Sequence, residues 1–136
     1  MNGLENNFSG VHKKRVCIVD DDEMLTMMLE DHLAKNPSYF IETFATGEEF
    51  LKVLEDEEMP DIIILDFNLD SVQPQAMNGL DILKRIKAHN KKIKVIMYSS
   101  QEQYGKALQT IANGAVEYII KDNGAFEKID HLIKTI

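Results

Sequence analysis

Acidic, hydroxyl and basic side chains fall at the ends of four apolar runs in this sequence. Asp20, Asp21 and Asp22, followed by Glu23, come directly after Val19; Asp66 closes the run Ile62–Leu65, with Asn68 two residues on. Ser99 and Ser100 follow Val95–Tyr98, and Lys121 follows Val116–Ile120. Carboxylates held within a few ångströms of one another repel, and they need a counter-charge or raised pKa values. A hard divalent cation such as magnesium answers that need, since it prefers oxygen ligands and is usually held by one or two carboxylates plus a substrate phosphate. One carboxylate is then left to act as nucleophile toward a phosphoryl donor, with a lysine and a hydroxyl opposite to hold the transferring oxygens. Each residue also has a plainer use. Acids suit the first turn of a helix, where the dipole favours them; Asp66 suits a turn, Ser99 a cap, and Lys121 a solvated position.

The elements that must bring these residues together can be read from apolar spacing. Five runs rich in β-branched or aliphatic residues read as strands: Val16–Val19, Phe40–Phe44, Ile62–Leu65, Val95–Tyr98 and Val116–Ile120. Three show little polar alternation, as expected of parallel strands covered on both faces. Helical spacing lies between them. Leu25, Met28, Leu29 and Leu33 mark one face of a first helix, Phe50, Leu51 and Leu54 a second, and Tyr104, Ala107, Leu108, Ile111 and Ala112 a fourth. Met24, Met27 and Met28 are expected to serve as core filler in the first helix. Thr46 with Glu49, and Ser100 with Gln103, have capping-box spacing. Gly114 suits the left-handed end of the fourth helix, and Pro37 follows the end of the first. Strand and helix thus alternate five times, which predicts one α/β domain, a parallel sheet with helices on both faces. In such sheets ligands bind beyond the carboxyl ends of the strands, where all the residues above would gather.

Composition narrows the function classes. The chain has 136 residues, 44% of them hydrophobic and 28% charged, enough for one ordinary globular domain. A net charge of −8 argues against direct nucleic-acid binding, which depends on clustered Lys and Arg. Cys17 has no second cysteine to pair with and sits in an apolar run, so it is expected to be a buried small hydrophobe in a reducing, cytoplasmic setting. No apolar run approaches the roughly 20 residues of a membrane span, so no membrane insertion is expected. Met1–Lys14 lacks the apolar core of a secretory signal and is expected to be a flexible segment ahead of a domain at 15–136.

Val-Asp-Asp-Asp at 19–22, Ile-Ile-Ile-Leu-Asp-Phe-Asn-Leu at 62–69, Val-Ile-Met-Tyr-Ser-Ser at 95–100 and Glu-Tyr-Ile-Ile-Lys at 117–121 resemble the receiver domains of bacterial two-component systems. The resemblance covers roughly residues 15–136. It implies a flavodoxin-like (βα)5 three-layer sandwich with strand order 2-1-3-4-5, an order for which a chemotaxis member of that family is a standard example. By position it makes Asp66 the phosphoacceptor. Asp21 becomes a direct metal ligand, Asp20 a ligand acting partly through water, and Asn68 a ligand through its backbone carbonyl; Asp22 falls outside this set. It makes Ser99 the switch hydroxyl, Lys121 the lysine that pairs with the phosphoryl group, and Tyr118 the aromatic whose rotamer reports that state. Asn68 and Gln101 match positions that tune hydrolysis of the aspartyl phosphate. Mg2+ is the implied cofactor, with Mn2+ or Ca2+ able to substitute. A histidine kinase or histidine phosphotransfer domain is the implied donor, and an output domain or protein the recipient of the signal. No separate metabolite would be turned over, so the chain is not expected to be an ordinary enzyme.

The sequence departs from that pattern twice. Asp70 replaces the usual proline after Leu69, and about five extra residues lie in 71–76 before Met77, Asn78 and Gly79, reading as an exposed loop. Asp122 stands where many members have proline, so a cis peptide after Lys121 is not expected, its cost being about 3 kcal/mol. Two other classes share parts of the pattern. An aspartyl-phosphate phosphohydrolase would want an acid at Asn68 and its nucleophile after the first strand. A flavodoxin-like cofactor carrier would want a Ser/Thr/Gly-rich phosphate loop there.

Overall fold

A computed structural model describes residues 13–56, 59–70, 75–100 and 104–136. The five apolar runs form strands β1 (Lys14–Val19), β2 (Tyr39–Phe44), β3 (Ile62–Asp66), β4 (Lys94–Ser99) and β5 (Glu117–Ile120). They pair in parallel in the order β2-β1-β3-β4-β5, as expected. Helices α1 (Glu23–Leu33), α2 (Gly47–Asp56), α3 (Gly79–His89), α4 (Tyr104–Ala112) and α5 (Ala125–Thr135) alternate with them.

Side chains alternate across a strand, so each strand feeds two cores. Val16, Ile18, Ile62, Ile64, Ile96 and Tyr98 pack with Leu29 and Leu33 of α1 and with Ile129 and Ile133 of α5. On the other face Cys17, Val19, Ile63, Leu65, Val95 and Met97 pack with Phe50 and Leu54 of α2 and with Ile82, Leu83 and Ile86 of α3. Every residue of β3 is buried, which explains its unbroken aliphatic run. Burial, and then the Glu42 charge, push the Cys17 thiol up to about 12, so it is an inert core residue.

The helix ends follow the expected chemistry. Thr46 Oγ1 accepts from the Glu49 N–H at 3.1 Å and its hydroxyl donates to Glu49 Oε1 at 3.2 Å, so the expected pair caps the start of α2. Gly114 has φ +103° and ends α4, with its N–H donating to Ile111 O at 3.0 Å and that of Ala115 donating to Thr110 O at 3.0 Å. That pair of bonds is the left-handed terminus glycine favours. No peptide bond is cis among the described residues. The expected Ser100–Gln103 box, Gln101 and most of the 71–76 insertion lie outside the described residues, as do residues 1–12.

One expectation about packing is overturned. Met24, Met27 and Met28 are not core filler but exposed, at 73%, 64% and 52%. Helical spacing marks a face without saying which way it points, and α1 buries Thr26, Leu29 and Leu33 instead. In α4 the marked face also points outward: Tyr104, Leu108 and Ile111 face solvent, and Thr110 is the buried residue. Leaving such side chains partly in water forgoes a share of the roughly 1.5–3 kcal/mol that full burial of an apolar side chain contributes.

The segment after β3 returns sharply into α3. The Gly79 N–H donates to Phe67 O at 2.9 Å, and a Cβ at Gly79 would lie 2.2 Å from Asp66 O and 2.7 Å from Phe67 Cα. Only glycine permits that approach. Gly79→Ala is expected to destabilise the fold by about 2 kcal/mol or more, read by chemical denaturation. An unchanged midpoint would contradict the close approach.

Candidate functional site

The sheet order reverses between β1 and β3, and the polar residues collect at that point. Asp20 and Asp21 leave β1, and Asp66 is the last residue of β3. Their carboxylate oxygens lie within 4.8 Å of one another, with Asp20 and Asp66 buried and Asp21 half-buried. Asp22 turns away as the N-cap of α1, where its side chain accepts from the Leu25 N–H at 3.1 Å. The acidic run is therefore divided between a helix cap and a pocket.

Lys121, just past β5, reaches across the strand ends into that pocket. Its Nζ lies 3.0 Å from Asp20 Oδ2 and 3.5 Å from Asp66 Oδ1. Asp20 Oδ1 accepts the Asp22 N–H at 3.0 Å, and Asp66 Oδ1 accepts the Asn68 N–H at 3.2 Å. Burial, and then the Asp20 charge, push the Asp66 carboxyl up to about 7, against the lowering effects of Lys121 and the Asn68 N–H. One ammonium thus offsets only part of the crowding. An all-oxygen donor set that remains short of positive charge fits a hard divalent cation.

The other expected residues sit on the same rim. Ser99 ends β4 and is fully buried, and its carbonyl accepts the Lys121 N–H at 2.8 Å. Asn68 follows Asp66 in the turn out of β3, and Tyr118 is half-buried on β5. Sequence reasoning missed three neighbours. The Phe67 ring meets the Tyr118 ring edge-on at 6.5 Å, and Lys106 Nζ from α4 stands 5.0 Å over Phe67. Tyr98, register partner of Asp66 in the adjacent strand, lies with its ring 5.0 Å from Lys121 Nζ. A lone aromatic in an aliphatic strand, beside the terminal acid, was the available signal for Tyr98.

The response regulator receiver domain family matches residues 16–134. This chain belongs to that family. The chemotaxis protein CheY of Bacillus subtilis is 30% identical over 122 residues, covering 90% of this chain and 97% of that protein. CheY of Thermotoga maritima is 34% identical over 109 residues, covering 79% and 85%. Among solved structures, the BeF3-activated DrrB receiver domain aligns with a TM-score of 0.75 and 25% identity, over 90% of this chain and 95% of that one. The chain is a two-component receiver domain similar to CheY, from a family of non-catalytic signalling domains. No helix among its described residues is long and apolar enough to cross a membrane.

The raised Asp66 value makes a prediction for the metal-free protein. The folded chain binds this proton more tightly than the unfolded chain does, whose carboxyl titrates near 3.8. Stability should therefore fall as pH rises from about 4 through about 7. Asp66→Asn removes that loss, so in a chelator at pH 8 the variant should be more stable than the native chain by about 1 kcal/mol or more. The difference should shrink at pH 5. A variant less stable than native at pH 8 would contradict the crowding described.

Proposed function

We propose that this receiver domain takes a phosphoryl group onto Asp66 from the phosphohistidine of a histidine kinase or histidine phosphotransfer domain. The observation that carries the reading is the cluster of Asp20, Asp21, Asp66 and Lys121 at the strand ends, with Asp20 and Asp66 buried, in a chain of this family. Mg2+, replaceable by Mn2+ or Ca2+, would be held by Asp20, Asp21, Asp66 and the backbone carbonyl of Asn68, and would supply positive charge against the transferring oxygens. An Asp66 oxygen attacks phosphorus in line. The P–O bond forms as the P–N bond breaks, and the electron pair returns to the imidazole. Lys121 offers its ammonium to the new phosphoryl oxygens and Ser99 its hydroxyl. Asp66 carries the group until water hydrolyses it, and no separate metabolite is turned over.

Movement of Ser99 toward the phosphoryl group opens space for Tyr118, which biases a surface built from α4, β5 and α5. The exposed Tyr104, Leu108 and Ile111 of α4 support this surface as the output face, since they leave apolar area for a partner to cover. The receiver unit begins with β1 at Lys14, one residue before the expected 15–136, and the domain works in the cytoplasm beside its donor. The BeF3-activated DrrB receiver domain, which shares this fold, supports the reading of the chain as a receiver that can be activated.

Incubation with acetyl phosphate and Mg2+ should add one phosphoryl group to the native chain, detected by intact mass. Chelator, or Asp66→Asn, should abolish it. Equal labelling of native and variant chains, or none of the native chain, overturns the reading. Ser99→Ala should still accept the group but lose the accompanying change in Tyr118 NMR resonances. A Tyr118 response that persists in that variant contradicts the switch.

A further inference from the structure

Lys121 has a third partner besides its two carboxylates. Its Nζ stands 5.0 Å from the centroid of the Tyr98 ring, inside the range at which a ring face attracts a cation. Tyr98 is 1% exposed and is among the largest fully buried side chains of the protein. It sits beside Asp66 in the β3–β4 register and beside Ile119 in the β4–β5 register. The ring therefore floors the pocket from beneath, between the acceptor strand and the strand that delivers Lys121. Burial, and then the charges of Asp20, Asp22, Asp66 and Asp122, push the Tyr98 hydroxyl above its ordinary range, so the phenol stays neutral.

We propose that Tyr98 is a positioning residue for Lys121, its ring face holding the ammonium in the pocket while the charge on Asp66 changes. This rests on the reading of Asp66 as the acceptor. With two carboxylates alone, the ammonium would follow whichever carries more charge. Once Asp66 is phosphorylated its charge moves outward onto the phosphoryl oxygens, and Asp20, at 3.0 Å, would keep the lysine. An aromatic face attracts the cation without depending on the protonation or phosphorylation of either acid. It also covers one side of the ammonium with a surface that offers no competing acceptor, which strengthens the remaining contacts. The side chain at 98 thereby sets how readily Lys121 meets a transferring phosphoryl group.

The test replaces Tyr98 by phenylalanine and by phenylalanines carrying increasing ring fluorine, which keep the shape while draining the quadrupole that draws the cation. Phosphorylation by acetyl phosphate with Mg2+ is timed for each full-length variant, and thermal unfolding is followed in parallel. Tyr98→Phe should react within about twofold of native. The rate should then fall with each fluorine, to about tenfold slower for the trifluorinated ring, with Tm nearly constant. In a Lys121→Met background the series should be flat. A native chain that labels while the series shows no trend overturns the role of Tyr98, and so does a trend that persists without Lys121. A native chain that does not label at all overturns the acceptor reading itself. Should the heavily fluorinated chains fail to fold, native Tyr98, Tyr98→Phe and the monofluorinated ring still give the slope.

Discussion

Bringing the buried Asp20 and Asp66 carboxylates within a few ångströms of each other costs free energy that only positive charge returns. Lys121 supplies part of it at 3.0 and 3.5 Å. The remaining deficit appears as an Asp66 carboxyl raised to about 7. A protein gains nothing in stability from such an arrangement. Strain of this kind at a strand end is instead what a site needs if it is to hold a cation and then receive a phosphoryl group, since both relieve the repulsion.

The sheet order makes the crowding possible. β1 and β3 are neighbours although β2 lies between them in sequence, so Asp20 and Asp66 leave adjacent strands. β4 and β5 follow in turn and bring Tyr98, Ser99 and Lys121 to the same edge. Gly79 lets α3 start directly against the Asp66 carbonyl, and Asp22 draws α1 back from the rim by capping it. Two dry cores of aliphatic side chains hold these ends in register, and a buried rigid frame keeps the carboxylates from simply moving apart.

Much of this was legible in the sequence because the relevant signals are local. Aliphatic runs, the Thr46 and Gly114 helix ends, and acids at strand termini all depend on residues close in the chain. The failures came where direction or distance mattered. The Met24, Met27 and Met28 stripe and the Tyr104, Leu108 and Ile111 stripe both had helical spacing, but spacing cannot say whether a face meets the sheet or the solvent. The contacts of Lys121 with Tyr98, and of Lys106 with Phe67, join residues from different elements and leave no periodic trace. Asp22, left out of the metal set on the family pattern, caps α1 instead.

Phosphoryl transfer to the Asp66 carboxylate can be tested chemically at that residue. Borohydride reduces an acyl phosphate on aspartate to homoserine, which peptide mass spectrometry can locate. After reaction with a phosphodonor and Mg2+, the account predicts homoserine at position 66 and at no other carboxylate. Homoserine at Asp20, Asp21 or elsewhere, with position 66 still aspartate, would contradict it.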